Sequence, residues 1–260
     1  MSATDSKFVP GHLDRAALLA LAGDGGGEPD LWAALSRLLA ERYSCRAFRP
    51  DPVPRETVDR AVALAQMSAS WCNTQPWEVH VTEGEITERF REALYAHGAS
   101  GAASETDFDF PVRYSDTLKA RRLETAWQLY EAVGIGWGDR EGSRLQGLEN
   151  FRLFGAPHVM LITSDADLGT YGGIDTGIFI GNLLLALQAL GVGCVPQAAL
   201  AVHSKFIRRY FGIGDHRRLV IGISFGWPDH DHASNNFRTL RAPPEGAIHW
   251  LDQTRPAETT

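Results

Sequence analysis

The hydrophobic pattern of the chain is dominated by one stretch, residues 173–197. Between residues 176 and 190 it has no charged side chain and only three clearly polar ones. A helix that is apolar on nearly every side has to be buried on nearly every side. Fifteen residues span about 22 Å as a helix, which is less than the roughly 30 Å hydrocarbon core of a bilayer. The pattern therefore predicts a core helix of a soluble protein, and it favours self-association along this helix, because one domain would have difficulty covering it alone.

Apolar residues at helical or alternating spacing predict the remaining elements. Helices are expected at 31–43, 54–65, 86–97, 114–134, 141–153 and 203–211. Strands are expected at 77–82, 157–164, 192–195 and 218–227. The elements do not alternate as regular βαβ units, and neither GxGxxG nor GxxxxGK(S/T) occurs, which disfavours a dinucleotide-fold dehydrogenase or a P-loop enzyme. The sequence predicts an α+β fold with a mixed central sheet flanked by helices.

Turn-forming residues divide the chain into a flexible arm, residues 1–29, and one domain, residues 30–260. The stretch GDGGGEPD at 23–30 is typical of a linker. The small and polar residues 98–111 predict a mobile loop. The tail after Trp227 contains too many turn residues to form a core of its own, so we expect it to wrap around the domain.

Composition narrows the class of protein. The chain has 260 residues, of which 44% are hydrophobic, and these permit a sizeable core. A formal net charge of −7 argues against a nucleic-acid-binding protein. The three cysteines lack any CxxC or CxxH spacing, which predicts free thiols in a reducing compartment and no structural zinc site. No secretory signal or membrane segment is visible, so we expect a cytoplasmic protein without a membrane partner.

Four stretches could carry binding chemistry, and the first is ERYSCRAF at 41–48. Arg42, Ser44 and Arg46 are spaced by two residues, so in an extended backbone their side chains project to one side and form a phosphate cradle. The alternative is that arginines at a helix C-terminus only complement the helix dipole and remain in solvent.

The other three stretches are weaker signals when taken singly. Asn73, Thr74 and Gln75 offer amide and hydroxyl groups that could bind the edge of a heterocycle, although such a loop can equally be turn chemistry. The stretch GCVPQAA at 193–199 offers backbone N–H groups at a strand end, and NNFRTLRAP at 235–243 offers two arginines for an anion or merely an exposed basic turn. DHDH at 229–232 could bind a metal, but a solvated loop is the better interpretation, so no metal site is expected.

Together, these stretches resemble the FMN-dependent nitroreductase family in order and spacing. The resemblance rests on RYSCRAF at 42–48, CNTQPW at 72–77, the apolar helix that ends at GCVPQ, and the late NxxTxR element at 236–241. The segment ENFRLFGAPHVMLI is similar to the branch that contains nitrobenzoate-reductase-like enzymes. The resemblance extends from about Leu31 to Trp250.

The resemblance implies an α+β homodimer with two FMN sites, each built from both chains. Arg42 and Ser44 would hold the FMN phosphate, and Arg241 would join them from the tail. Tyr43 would lie in the same site. Arg46 would lie near the flavin pyrimidine ring, where a guanidinium stabilises the negative charge of the reduced flavin.

The remaining cofactor residues follow from the same resemblance. Ser70, Trp71 and Asn73 would reach the flavin from the other subunit, and Gln75 would support their loop. A second polar contact to the pyrimidine edge is expected from the Arg121–Arg122 region. A backbone N–H near Ala198 would be directed at flavin N5. The residues along the flavin ring would be Pro196, Gln197 and Ala198.

The implied activity is an oxidoreductase that needs no protein acid, base or nucleophile for its main step, because the flavin carries the hydride. NAD(P)H would reduce the flavin and leave, and an electron-poor acceptor such as a nitroaromatic or a quinone would take its place in a ping-pong cycle. Residues 98–113 and the following helix would form the lid and determine specificity. The alternatives are an activated-alkene reductase, a dehalogenase, a flavin-binding protein without turnover or, if the motifs are accidental, an interaction module.

Overall fold

The central element of the fold is a four-stranded sheet. The computed structural model describes residues 29–251 and, before them, residues 13, 14, 16, 17 and 20. Neighbouring strands, in the order β1-β2-β4-β3, all pair antiparallel. The one parallel contact is an isolated bridge between Ser44 and Cys194 in the part of the chain described. The strands are β1 (Trp77–Thr82), β2 (His158–Asp165), β3 (Gly193–Gln197) and β4 (Arg217–Gly226).

Helices cover the sheet, and the prediction of an α+β fold is confirmed. Within residues 29–251 the α-helices begin with α1 (Pro29–Glu41), α2 (Arg55–Ala65), α3 (Gly84–Ala99) and α4 (Asp116–Ala132). They continue with α5 (Arg140–Leu148), α6 (Gly169–Ala189), α7 (Ala198–Ala201) and α8 (Ser204–Phe211). Most of the predicted arm lies outside the described residues, as do residues 252–260.

The predicted central helix is α6, and it is longer than the sequence pattern indicated. It begins at Gly169 and has 21 residues, so its length alone does not exclude a membrane span, contrary to our expectation. Its packing identifies it as a core helix, because Phe179, Leu183 and Leu187 are completely buried in the cluster that includes Trp77 of β1. The burial is one-sided, however. Ile174 and Ile178 on the opposite side of α6 remain exposed in the protomer.

Two other predictions fail in detail. Helix α5 ends at Leu148, and the chain then forms a short turn in which Leu153, Phe154 and Gly155 all have positive φ. The predicted mobile loop is anchored in its middle, since Glu105 exchanges backbone hydrogen bonds with Val202 and Lys205. Neither feature follows from local spacing, because both depend on tertiary contacts.

Candidate functional site

The predicted phosphate-binding segment runs beside the end of β3. Helix α1 ends at Glu41, and the backbone then extends so that Cys45 N–H donates to the Cys194 carbonyl over 3.0 Å. Burial raises the pKa of both thiols, that of Cys194 to about 12, so neither is a nucleophile. The segment is therefore a structural edge of the sheet that presents Arg42 and Arg46 at the C-terminal end of α1.

A tail residue that the sequence did not single out fixes this segment. Asn235 is almost fully buried, and its Oδ1 accepts from the backbone N–H of Arg46 over 2.8 Å. Its Nδ2 donates to the carbonyls of Ala47 and Asp229. With three of its hydrogen bonds made to backbone groups, the Asn235 amide holds the tail and the Arg46 segment together. The only signal in the sequence was its place at the start of NNFRTLR.

Arg42 and Arg241 form a pair of like charges. The pKa of the Arg241 guanidinium is lowered by burial and by the charge of Arg42. Neither arginine makes an ion pair with a carboxylate within the described residues. Arg241 donates to the Thr239 hydroxyl and to nearby carbonyls, and its backbone pairs with Leu13. Two guanidinium groups without a counter-charge form a site suited to an anion such as a phosphate.

Arg46 is partly buried between aromatic rings and has unused donors. Its guanidinium lies 6.0 Å from the ring centroid of Phe154 and 5.9 Å from that of Phe237. The one side-chain hydrogen bond described for it is the 3.2 Å contact to the Ser44 carbonyl. Burial lowers the pKa of Arg46. A guanidinium with five N–H donors, held in place but largely unsatisfied, is suited to hydrogen-bonding the polar edge of a bound molecule.

Two cavities meet at Arg46. The smaller, of about 220 Å³, is lined by the end of β3 and by Leu129, Tyr130 and Asn150. The larger, of about 580 Å³, extends between α5 and the loop after β4. The residues that line both are Arg46, Gln146 and Phe154. The predicted strand-end residues that line the smaller cavity are Pro196, Gln197 and Ala198.

The side chain of Gln197 points into the protein. Its Nε2 donates to the Asn150 carbonyl over 2.9 Å, and its Oε1 accepts from the Ser224 hydroxyl. The residue is 2% exposed, so only its backbone is available to a ligand. Ala198 begins the short helix α7, and the first N–H groups of a helix have no partner within the helix. The strand end can therefore offer backbone groups to a ligand, and their contact with a cofactor stays a prediction.

The loop between α2 and β1 is strained and tightly bonded. Cys72, Asn73 and Gln75 all have φ between 48° and 56°, a left-handed conformation that is unfavourable for side chains with a Cβ. The backbone N–H of Gln75 donates to the Ser70 hydroxyl, and Gln75 Nε2 donates to the Asn73 carbonyl. Gln75 therefore supports the loop in the structure.

Trp71 and Cys72 are among the exposed residues of this loop. The Trp71 backbone N–H donates to the buried carboxylate of Asp175 in α6, and its indole packs edge-on against Tyr171. Cys72 is a free and exposed thiol. The cavity beside the loop, of about 340 Å³, has no lining residue in common with the two cavities at Arg46. Within one protomer, the two groups of predicted cofactor residues are thus apart.

Four other predicted residues do not line the cavities at Arg46. Arg121 and Arg122 are exposed on α4, whereas Gln146, Glu149 and Asn150 line those cavities, so the contact expected from the two arginines stays a prediction. Arg238 lies 3.8 Å above the ring of Tyr43 and donates to backbone carbonyls. The Tyr43 hydroxyl is buried without a partner in the described part of the chain, and burial raises the pKa of Tyr43 to about 12.

Comparisons with known proteins agree with this geometry. A profile described as the nitroreductase family matches residues 39–227. Nitroreductase NfnB of Mycolicibacterium smegmatis is 37% identical over 84% of this chain and 92% of its own length. 4-Nitrobenzoate reductase of Pseudomonas putida is 28% identical over 82% of this chain and 94% of its own. A crystal structure of the FMN-dependent NfnB from Mycobacterium smegmatis in complex with NADPH superposes with a TM-score of 0.80 at 34% identity, covering 85% of this chain and 99% of that one.

Proposed function

Since this chain belongs to the nitroreductase family, we propose that it is an FMN-dependent oxidoreductase that uses NAD(P)H to reduce nitroaromatic or quinone-like acceptors. The observation that carries the proposal is the pair of Arg42 and Arg241, which makes no ion pair with a carboxylate of the described residues, with Arg42 on the same segment as Arg46, the residue at which the two cavities meet. A dianionic phosphate would supply the counter-charge for the two arginines, and a flat polar ring joined to it would fit the cavity. Its NfnB relative is described as FMN-dependent and was crystallised with NADPH.

The residues of the chain fit FMN in specific roles. Arg42, Ser44 and Arg241 bind the phosphate through charge-assisted hydrogen bonds. Arg46 donates to the pyrimidine edge of the ring and stabilises negative charge there. The backbone of residues 196–198 lines the ring, and an N–H near Ala198 hydrogen-bonds the flavin nitrogen N5. Asn235 contributes indirectly, because it holds the Arg46 backbone in place.

The second part of the site comes from a second copy of the chain. Trp71 lines a separate cavity, and neither Ser70 nor Asn73 lines the Arg46 cavity of its own protomer, so we assign all three to the cavity of the partner. The apolar surface of the protomer supports a homodimer. Leu31, Leu35 and Leu39 on α1 are exposed, as are Ile174 and Ile178 on α6, and α1 contacts α6. Such a continuous apolar surface is typical of an obligate subunit interface.

The chemistry needs positioning rather than an acid or base from the protein. Bound FMN would accept a hydride from the reductant and then donate it to the acceptor. The protein binds the reductant and then the acceptor in one cavity, which predicts ping-pong kinetics. Leu129 and Tyr130 of α4 line the smaller cavity. This helix and the adjoining part of residues 98–113 determine which acceptors enter.

Visible absorption of the purified protein tests the proposal. We expect a yellow protein whose flavin bands bleach when NADPH is added without oxygen and return when a nitroaromatic or quinone is added. Initial rates at several fixed acceptor concentrations should give parallel double-reciprocal lines. A protein that stays colourless after incubation with FMN contradicts the proposal, and converging lines contradict the ping-pong cycle. Bound FMN without reduction by any nicotinamide favours a flavin-binding protein without turnover.

A further inference from the structure

The loop that carries Trp71 and Asn73 requires an external support to keep its shape. Three of its residues, Cys72, Asn73 and Gln75, have positive φ. Each such residue costs about 1 kcal/mol relative to a right-handed conformation. Strain of this size persists only where surrounding contacts determine the conformation. The hydrogen bonds made to the loop therefore show which residues hold it.

A chain of three side-chain hydrogen bonds reaches the loop from the core. Trp77, stacked on Phe179, donates from its indole Nε1 to Gln66 Oε1 over 2.9 Å. Gln66 Nε2 donates to Gln75 Oε1 over 2.7 Å. Gln75 Nε2 then donates to the Asn73 carbonyl over 3.1 Å. Gln66 lies just after the last residue of α2 and belongs to none of the cavities described above.

The donor and acceptor roles in these three hydrogen bonds are determined by Trp77. An indole N–H can only donate, so the Gln66 oxygen has to face Trp77 and its NH₂ group has to face Gln75. Gln75 is then forced to present its oxygen to Gln66 and its NH₂ group to Asn73. The Asn73 carbonyl, in a left-handed residue, thus receives a donor whose orientation is set by a tryptophan of the core.

We propose that Gln66 is a positioning residue for the FMN site: through Gln75 it orients the Asn73 peptide and holds the Trp71–Asn73 turn against the partner's flavin. This inference rests on the proposed function, because the turn has a ligand to contact only if the protein is a flavin-binding dimer. Gln66 itself does not touch the cofactor. Its effect is transmitted by the polarity of two amide groups.

Two substitutions of Gln66 distinguish this role from a local structural one. Gln66→Leu removes both hydrogen bonds. Gln66→Glu keeps an acceptor for the Trp77 indole but offers no donor to Gln75, so the Gln75 amide rotates its NH₂ group towards the new carboxylate and withdraws it from Asn73. If Gln66 only stabilised Trp77, Gln66→Glu would behave as wild type. If it orients Asn73, both variants should have the same defect.

The experiment measures FMN affinity, the flavin absorption spectrum and steady-state kinetics for the dimeric protein. We expect both variants to bind FMN about 3- to 10-fold more weakly, with shifted visible bands and a raised KM for the acceptor, and with kcat changed less than twofold. Ala63→Glu is the matched control, because it adds the same charge to an exposed position of α2 without touching these hydrogen bonds.

The outcomes separate this inference from the proposed function. Wild-type affinity, spectrum and KM in Gln66→Glu would overturn the role of Gln66 while leaving the flavoenzyme intact. A lowered melting temperature in both variants with unchanged FMN affinity would likewise overturn it, since that result shows a structural role only. Failure of the wild-type protein to bind FMN would instead contradict the proposed function on which the inference depends.

Discussion

Arg241 is the residue at which an anion site is most directly visible. It comes from the tail, yet its guanidinium lies close to Arg42. Burial lowers the pKa of Arg241, and the positive charge of Arg42 lowers it further. Like charges are held together only if other interactions compensate for their repulsion, and here the Thr239 hydroxyl and backbone carbonyls hold Arg241. A bound phosphate would neutralise the two positive charges, and the loss of their repulsion would contribute to the free energy of binding.

Replacing Arg241 should therefore weaken FMN binding. We expect Arg241→Gln to raise the Kd for FMN at least tenfold, because a charge-assisted hydrogen bond to phosphate contributes about 1.5–3 kcal/mol. Fluorescence titration with FMN measures the change, and riboflavin, which lacks the phosphate, should lose little affinity. Arg89→Gln, an exposed arginine on α3, is the control. An equal loss for FMN and riboflavin would contradict the assignment of Arg241 to the phosphate.

His158 connects the residue scale to the stability of the whole domain. Its Nε2 accepts from Val53 N–H over 2.9 Å, so its proton is on Nδ1, which contacts the Thr82 carbonyl at 3.1 Å. Burial lowers the pKa of His158, and the contacts with Thr82 and Glu83 only partly oppose this. Protonation would place a second donor against Val53 N–H. The folded protein therefore requires the neutral ring.

Acidification should consequently destabilise the fold. A histidine whose pKa is depressed on folding takes up a proton more readily in the unfolded chain, so stability is lost as pH falls below about 6.5 towards the lower folded value. We expect the free energy of unfolding, measured with urea between pH 7.5 and 5, to fall with pH less steeply in His158→Gln than in wild type. His80 and His203, whose pKa values burial also lowers, contribute to the remaining slope. An unchanged slope in His158→Gln, or an altered slope in the exposed control His230→Gln, would contradict this assignment.

At the scale of elements, the segment between α3 and α4, residues 100–115, is anchored to the domain rather than a free loop, and we call it the strap. Asp107 is 6% exposed at its side chain and pairs with Arg208 of α8 through two hydrogen bonds of 2.9 and 3.1 Å. Its Oδ2 also accepts from the backbone N–H of Leu219 in β4. The strap thus ties α8 and β4 together, and the portion free to act as a lid begins only after Phe108, which packs against Gly173 of α6.

Breaking this anchor should destabilise the domain. We expect Asp107→Asn to lower the free energy of unfolding by about 3 kcal/mol, because it leaves the buried guanidinium of Arg208 with only the exposed carboxylate of Asp215 as a counter-charge. Asp215→Asn is a matched control, since Asp215 pairs with the same arginine but its side chain is fully exposed. Thermal and urea unfolding measure both variants. Equal, small effects of the two substitutions would show that the strap is not anchored by this pair.

At the scale of the molecule, α1 and α6 expose large apolar residues that the proposed dimer would cover. The same proposal would bring the Trp71 loop of one protomer to the Arg46 cavity of its partner across a twofold axis, since the two line separate cavities within one protomer.

A charge on this surface should separate the subunits and release FMN. We expect Ile178→Asp, at a residue 43% exposed in the protomer, to convert a dimer to a monomer in sedimentation or size-exclusion experiments and to abolish FMN retention. Ile86→Asp is the matched control, since Ile86 is 45% exposed on the outer side of α3. A dimer that persists in Ile178→Asp, or a wild-type monomer, would contradict the proposed interface.

The sequence by itself determined the elements and their class. Local periodicity and capping residues depend on near neighbours, so the α+β class, the strands and most helices could be predicted from them, with errors mainly at helix ends such as Leu148 and Gly169. The motif around Arg42, Ser44 and Arg46 predicts an anion site for a similar reason, because its three side chains are close in the chain, and this role stays a prediction.

Only the tertiary structure decided how distant parts combine. The pairing of Arg241 with Arg42, the role of Asn235 at Arg46 and the chain from Trp77 through Gln66 to Asn73 connect residues from different elements. The inward-facing Gln197 side chain and the anchored Asp107 depend on hydrogen bonds to residues more than 25 positions away in the chain. Such contacts leave no periodic signal in the sequence, because their formation depends on how the sheet, α6 and the tail pack.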